Sequence, residues 1–231
     1  MKKTLFIALG LVVSFCSKPV QKTMTVSGEI DGLRKGTLFL QKIIDTTLTS
    51  VDSITISGSN QFQLADNIEN PEFYILSLAI NDSLDEKILF FGEKGNININ
   101  TRLRTFGSSA EITGSTNHTL WEEYQSIMRK FNNQNLQNYQ KVLDESKELS
   151  AEERDAALEA SNNNMLKRKY LYAINFAMNN ADKDVAAYIG RFEINDAVPQ
   201  FLDSLYNKLS PEVKEGKYGK LFEEQLNALA E

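Results

Sequence analysis

Apolar residues recur at every second position up to about residue 115 and at every third or fourth position beyond it, so strands come first along this chain and helices second. Met24, Val26, Gly28 and Ile30 alternate with Thr25, Ser27 and Glu29, the pattern of a strand with one buried face. Similar runs follow at 37–43, 50–56, 61–64, 73–80, 87–91, 96–101 and 110–113. Between them stand Asp31-Gly32, Lys35-Gly36, Gly58-Ser59-Asn60, Asn70-Pro71, Asn81-Asp82 and Lys94-Gly95, residues whose backbones suit turns. Short strands at regular spacing predict a β-sandwich or barrel.

Past Gly114-Ser115, helix formers replace β-branched residues. Asn117 is expected to cap a helix whose stripe is Leu120, Trp121, Tyr124, Ile127, Met128 and Phe131. Ser150-Ala151-Glu152-Glu153 reads as a capping box opening a second helix that runs to about Asn180. Shorter helices are expected at 184–192, 199–209 and 218–229, with Ser210-Pro211-Glu212 as a further start signal. The expected fold class is α+β: an N-terminal antiparallel β-sandwich over 24–115, followed by an α-helical region over 116–231.

The opening residues follow neither period. Lys2 and Lys3 precede an almost wholly apolar run from Leu5 through Phe15, the layout of a secretory signal peptide at 1–15. Crossing a membrane takes roughly 20 apolar residues, and this run is far shorter. Cys16 stands where lipoprotein processing attaches diacylglycerol through a thioether, and Val13, Ser14 and Phe15 match the lipobox in part, with Phe15 in place of the usual small residue. Lipidation of Cys16 is therefore expected, with 16–23 as an anchored linker and the membrane as a partner through that lipid. Soluble periplasmic protein is the alternative. Loss of Lys2 and Lys3 leaves 23 basic residues against 31 acidic, a formal charge of −8, which disfavours nucleic acid as a partner. A single cysteine excludes an intramolecular disulfide and a CxxC redox pair.

Little in the chain is placed for catalysis. His118, the only histidine, and Glu122 lie four apart on one helix face, but a structural or transition-metal site draws on three or four ligands. Asp52-Ser53 would need a base and an oxyanion site to act as a nucleophile, and it fits a strand pattern instead. Glu93-Lys94-Gly95-Asn96 lacks a phosphate-cradle pattern and reads as a hairpin turn. The charged stretch 141–159 reads as a solvated helix face with opposite charges three or four apart. Phe39, Phe62, Phe73, Tyr74, Phe90 and Phe91 are expected to fill the sandwich core rather than line a cleft, although adjacent Phe90 and Phe91 must face opposite sides, so that one is exposed or meets the helical half. No catalytic residue, metal or cofactor is expected.

Val26-Ser27-Gly28-Glu29-Ile30, Gly36-Thr37-Leu38-Phe39-Leu40, Val51-Asp52-Ser53, Phe62, Pro71-Glu72-Phe73-Tyr74, Phe91-Gly92-Glu93-Lys94-Gly95-Asn96-Ile97 and Thr113-Gly114-Ser115-Thr116-Asn117 together resemble a known domain. It is the domain of unknown function 4369, which begins many thiol:disulfide interchange lipoproteins of Bacteroidota ahead of a peroxiredoxin-like thioredoxin domain. The helical half, with Ser210-Pro211-Glu212 and Tyr218-Gly219-Lys220, resembles the connector that follows it. Glu231 stands near where the resemblance would place the start of the thioredoxin domain, and neither that domain nor its cysteines are expected within these residues. The resemblance implies an exported, lipid-anchored cell-envelope protein acting as a non-enzymatic binding or scaffolding module for an envelope protein or glycan. The alternative is an accessory to a separate thioredoxin-like enzyme that handles disulfides or peroxide. By analogy with lipoprotein sorting, Ser17 implies the outer membrane, facing the periplasm. Four stretches match that phylum's O-glycosylation sequon: Asp45-Thr46-Thr47, Asp52-Ser53-Ile54, Asp82-Ser83-Leu84 and Asp203-Ser204-Leu205. Ser83, in a turn expected to be exposed, is the best placed of them.

Overall fold

The computed structural model describes residues 22–80 and 83–230. Eight strands lie where the period of two places them: β1 Met24–Asp31, β2 Lys35–Ile44, β3 Thr47–Ser57, β4 Gln61–Asp66, β5 Glu72–Ile80, β6 Ser83–Gly92, β7 Gly95–Arg102 and β8 Glu111–Thr113. They form two four-stranded sheets, ordered β4-β1-β7-β8 and β3-β2-β5-β6. The inward alternate residues, among them Val26, Leu38, Leu40, Leu76, Leu78, Phe90, Ile97 and Ile99, make the sandwich core.

One ladder is parallel: β1 runs beside β7 from Met24 opposite Gly95 to Asp31 opposite Arg102. That pairing corrects the reading of Glu93-Lys94-Gly95-Asn96 as a hairpin turn. Strands β6 and β7 belong to different sheets, so the segment is a crossover between them. The turn expected at Asp31-Gly32 is present, and the one expected at Lys35-Gly36 is not. Those residues already belong to β2, and the chain reverses just before them around Gly32, whose φ of +86° is open to glycine without strain.

Six helices follow: α1 Thr116–Glu145, α2 Ala151–Asn179, α3 Asp184–Tyr188, α4 Pro199–Lys208, α5 Pro211–Glu215 and α6 Lys217–Ala230. The capping box before α2 is complete, with the Glu153 N–H donating to Ser150 Oγ at 3.3 Å and the Ser150 N–H to Glu153 Oε2 at 3.0 Å. Ser210 likewise caps α5, accepting the Val213 N–H at 3.3 Å. The helix expected over 184–192 starts as α3 but widens into a π-turn over Ile189–Glu193. Gly190 sits in that turn with the Phe222 ring so close that a Cβ would meet it at 2.5 Å, so the turn lets α6 approach the backbone itself. Among the described residues, no helix is long and apolar enough to cross a membrane.

The helices rest on the outer face of the β5–β6 pair. Phe90 points into the sandwich, whereas its neighbour Phe91 is buried among Tyr124, Ala177, Val185, Ile189, Tyr218 and Phe222 of the helical cluster. Phe73 packs there too, which corrects the expectation that it fills the sandwich core. Phe62 and Tyr74 do fill that core, and Phe39 is half-buried, outside both clusters.

Candidate functional site

The seam between sandwich and helices brings together His118, Glu122, Glu93, Phe73 and Phe91, and it begins at the start of α1. Ser115, not Asn117, is the cap: its Oγ accepts the His118 N–H at 3.0 Å. Asn117, two residues further in, spans three elements instead. Its Oδ1 accepts the Val185 N–H at the start of α3 at 2.9 Å, and its Nδ2 donates to Glu93 Oε2 at 2.7 Å. Glu93 Oε1 also accepts the Thr116 N–H at 2.6 Å, so a carboxylate from the crossover sits at the positive end of α1.

His118 follows directly. Its side chain is 4 % exposed, and Nδ1 accepts the Phe91 N–H of β6 at 3.3 Å. Nε2 has only a long 3.5 Å approach to Glu122 Oε1. Burial lowers the imidazole pKa from its ordinary 6.5, and the Glu122 carboxylate offsets part of that. The neutral ring therefore works as an acceptor that joins β6 to α1. Among the described residues, no three His, Cys, Asp or Glu side chains meet in a way that would hold a metal ion.

Around His118 lies a run of touching aromatic rings. Phe73 meets Phe91 at 4.6 Å, Tyr188 at 4.7 Å and Trp121 at 5.3 Å, and Tyr188 meets Phe192 at 4.9 Å and Tyr218 at 5.1 Å. These separations and the tilted planes are those of favourable aromatic contact. The rings run from the buried Phe91 outward through half-buried Phe73, Trp121 and Tyr188 to Phe192, which is 42 % exposed beneath the Arg191 guanidinium. Burial raises the Tyr188 and Tyr218 hydroxyl pKa values above the usual 10, so this surface keeps its phenols neutral.

At the other end of the seam, α6 is stitched to β5 twice. The Tyr218 hydroxyl accepts the Phe73 N–H at 2.9 Å, and Lys217 forms a short ion pair with Glu72. Glu72 leads into a largely buried charge network: Lys42 Nζ lies 2.8 Å from Asp66 and 3.3 Å from Glu72, and the Tyr74 hydroxyl donates to Asp66 at 2.7 Å. Burial alone would raise the Asp66 pKa, but Lys42 and the Tyr74 hydroxyl outweigh it and hold the carboxyl below its usual value. Lys42, Glu72 and Lys217 edge a cleft of about 360 Å³ beside the β2–β3 turn.

The remaining sequence candidates separate. Cys16 lies outside the described residues. Ser83 opens β6, but its side chain and the preceding Asp82 lie outside them as well. Asp52 ties β3 to β4: one carboxylate oxygen accepts the Ala65 N–H at 2.8 Å and the other the Ser53 N–H at 2.8 Å. Its partners are backbone donors, and His118 is engaged elsewhere, on β6. Ser204 is helical and donates to the Gln200 carbonyl at 2.7 Å, whereas Asp45 and Thr46 stand exposed at the β2–β3 turn. The stretch 141–159 contains the turn between α1 and α2, with ion pairs Lys141–Glu145 at 3.6 Å and Lys147–Asp144 at 2.9 Å.

Sequence reasoning missed the Lys42–Asp66–Glu72 network. Its trace was there, because Lys42 continues the inward register of Leu38 and Leu40, and Glu72 shares the inward register of Tyr74.

Residues 24–121 match the family model described as Domain of unknown function (DUF4369). The N-terminal domain belongs to that family. The matched span covers all eight strands and runs on through Ser115, Asn117 and His118 to Trp121, so this domain of unknown function takes in the first turns of α1 along with the sandwich they dock against. No curated protein and no solved structure matches the chain.

Proposed function

We propose that this chain is an exported, lipid-anchored cell-envelope protein that works as a non-enzymatic binding module, taking an envelope protein or glycan on the aromatic seam. The observation that carries the binding reading is the row of half-buried rings, Phe73, Trp121 and Tyr188, ending in exposed Phe192 under Arg191. Flat aromatic faces held rigidly by a sheet on one side and helices on the other offer stacking area at little entropic cost. The non-enzymatic reading is supported by what His118 does, since its acceptor nitrogen is already bonded to the Phe91 N–H in a buried setting. Export and anchoring rest on Lys2, Lys3, the apolar run after them and Cys16. The outer membrane, periplasmic side, is the location that sorting analogy supports.

Capture from detergent-solubilised envelope tests the binding reading, with the wild type and Phe192→Ser compared. A partner or glycan held by the first and lost from the second is the expected result. Equal capture by both, or none by either, would refute the seam as the binding surface. A thioredoxin-like protein as the seam-dependent partner would instead favour the accessory role. Intact-mass measurement tests the anchor: diacylglycerol on a chain beginning at Cys16 is expected, and an unlipidated chain beginning beyond Ser17 would overturn it.

A further inference from the structure

Beyond Met128 in α1 and before Met165 in α2, neither helix buries a residue. The two helices there form an arm that covers only its own seam. On one side of that seam, Asn135 and Tyr139 of α1 and Leu158, Glu159 and Asn162 of α2 line a groove of about 250 Å³. Leu136 lies three positions from Tyr139 and Leu166 four from Asn162, so both extend this face. Leu136 is 61 % exposed and Tyr139 50 %.

Charge is segregated along the arm. Residues 141–159, at its tip, carry seven acidic and three basic side chains, whereas 129–130 and 167–169, at its root, carry five basic and no acidic ones. The spacing on α2 is symmetric about the groove, with Asp155 seven residues to one side of Asn162 and Lys169 seven to the other. Seven residues are close to two helical turns, so all three share a face.

From this arrangement we infer that the arm pairs with the same face of a second copy, the two arms packing antiparallel about a two-fold axis near Leu136 and Asn162. The result is a four-helix bundle that closes on itself. Each acidic tip then lies on the partner's basic root, and Leu136 and Tyr139 of both copies meet at the centre. Parallel packing would set acidic tip against acidic tip. A basic partner protein would match the tips but leave both roots uncompensated. The arm face is about 21 Å long and two helices wide, roughly 400 Å² per copy, so the association is weak and concentration-dependent.

Sedimentation velocity of the purified protein tests this. The mass is expected to rise from one copy toward two between about 1 µM and about 1 mM, and to fall back in high salt. The double reversal Asp155→Lys with Glu159→Lys, and separately Arg129→Glu with Lys169→Glu, should each weaken self-association about tenfold. An equimolar mixture of the two reversed chains should regain it, because each tip again meets an opposite root. That recovery also establishes that both variants are folded. A wild type that stays at one copy throughout, reversals that self-associate as well as the wild type, or helical variants that fail to recover on mixing would each overturn the pairing.

Discussion

His118 illustrates how one buried side chain can be both a structural strut and a pH-dependent term. Its pKa is lowered by burial, so below about 6.5 the unfolded chain takes up a proton that the folded ring resists. The stability it contributes is complete above that pH and is lost as pH falls toward the folded value. Asp184, raised by burial to about 6, works in the opposite direction over the same range. Replacing His118 by Asn keeps an acceptor for the Phe91 N–H and removes the titration, while Asp184 is common to both chains and cancels. Urea titrations from pH 7 to pH 5 should therefore show wild type losing stability relative to His118→Asn, by at most about 1.4 kcal/mol per pH unit. A constant difference across that range would contradict a titrating, buried ring. Lys42 is the other sensitive residue. Its side chain is 14 % exposed and faces Asp66 and Glu72, each 11 % exposed, so Lys42→Met leaves the buried Asp66 carboxylate without a cation and Glu72 with Lys217 alone. A loss of about 3–5 kcal/mol in denaturant midpoint experiments is expected.

Among the elements, β6 and the π-turn decide how the two halves fit. Phe91 is fully buried on the helical side of β6, with Tyr188, Tyr218 and Phe73 around it. Phe91→Ala opens a cavity there, and a cost of about 3–5 kcal/mol is expected, with near-ultraviolet signals of Trp121 and the tyrosines weakened in the folded protein. The corresponding change on the sandwich side, Phe90→Ala, should cost as much while disturbing Tyr74, on which Phe90 stacks, and leaving the Trp121 signal unchanged, which makes the pair a control for each other. Gly190 is sensitive in the opposite sense, because added volume meets the Phe222 ring. Gly190→Ala should destabilise by about 1–3 kcal/mol, and Gly190→Ala combined with Phe222→Leu should lose less than the two single changes together.

For the molecule as a whole, the shared seam implies cooperative unfolding of sandwich and helices. Helix loss followed at 222 nm and strand loss followed in the infrared amide I band should give one coincident transition in urea, because α1 and α6 bond to β6, β5 or the crossover beside them and α3 bonds to α1. Two separated transitions would mean that the sandwich stands alone. The family match points the same way, since it continues past the last strand into α1 as far as Trp121.

The sequence by itself determined the local elements: the period of two placed the strands, the period near 3.6 placed the helices, and Ser150-Ala151-Glu152-Glu153 and Ser210-Pro211 marked starts that are observed. These are short-range effects, set by which face each residue presents and which backbone groups its neighbours satisfy. Sequence also carried the adjacent Phe90 and Phe91 to opposite faces, and so indicated that something must cover the second. Only the tertiary structure decided that β7 runs parallel to β1, which turned Glu93 from a hairpin residue into a crossover carboxylate at the N-terminus of α1, and that Asn117 bonds α3 instead of capping its own helix. It alone brought Lys217 to Glu72, 145 residues apart. Such contacts depend on which sheet a strand joins and which face a helix covers, and no spacing along the chain encodes that choice.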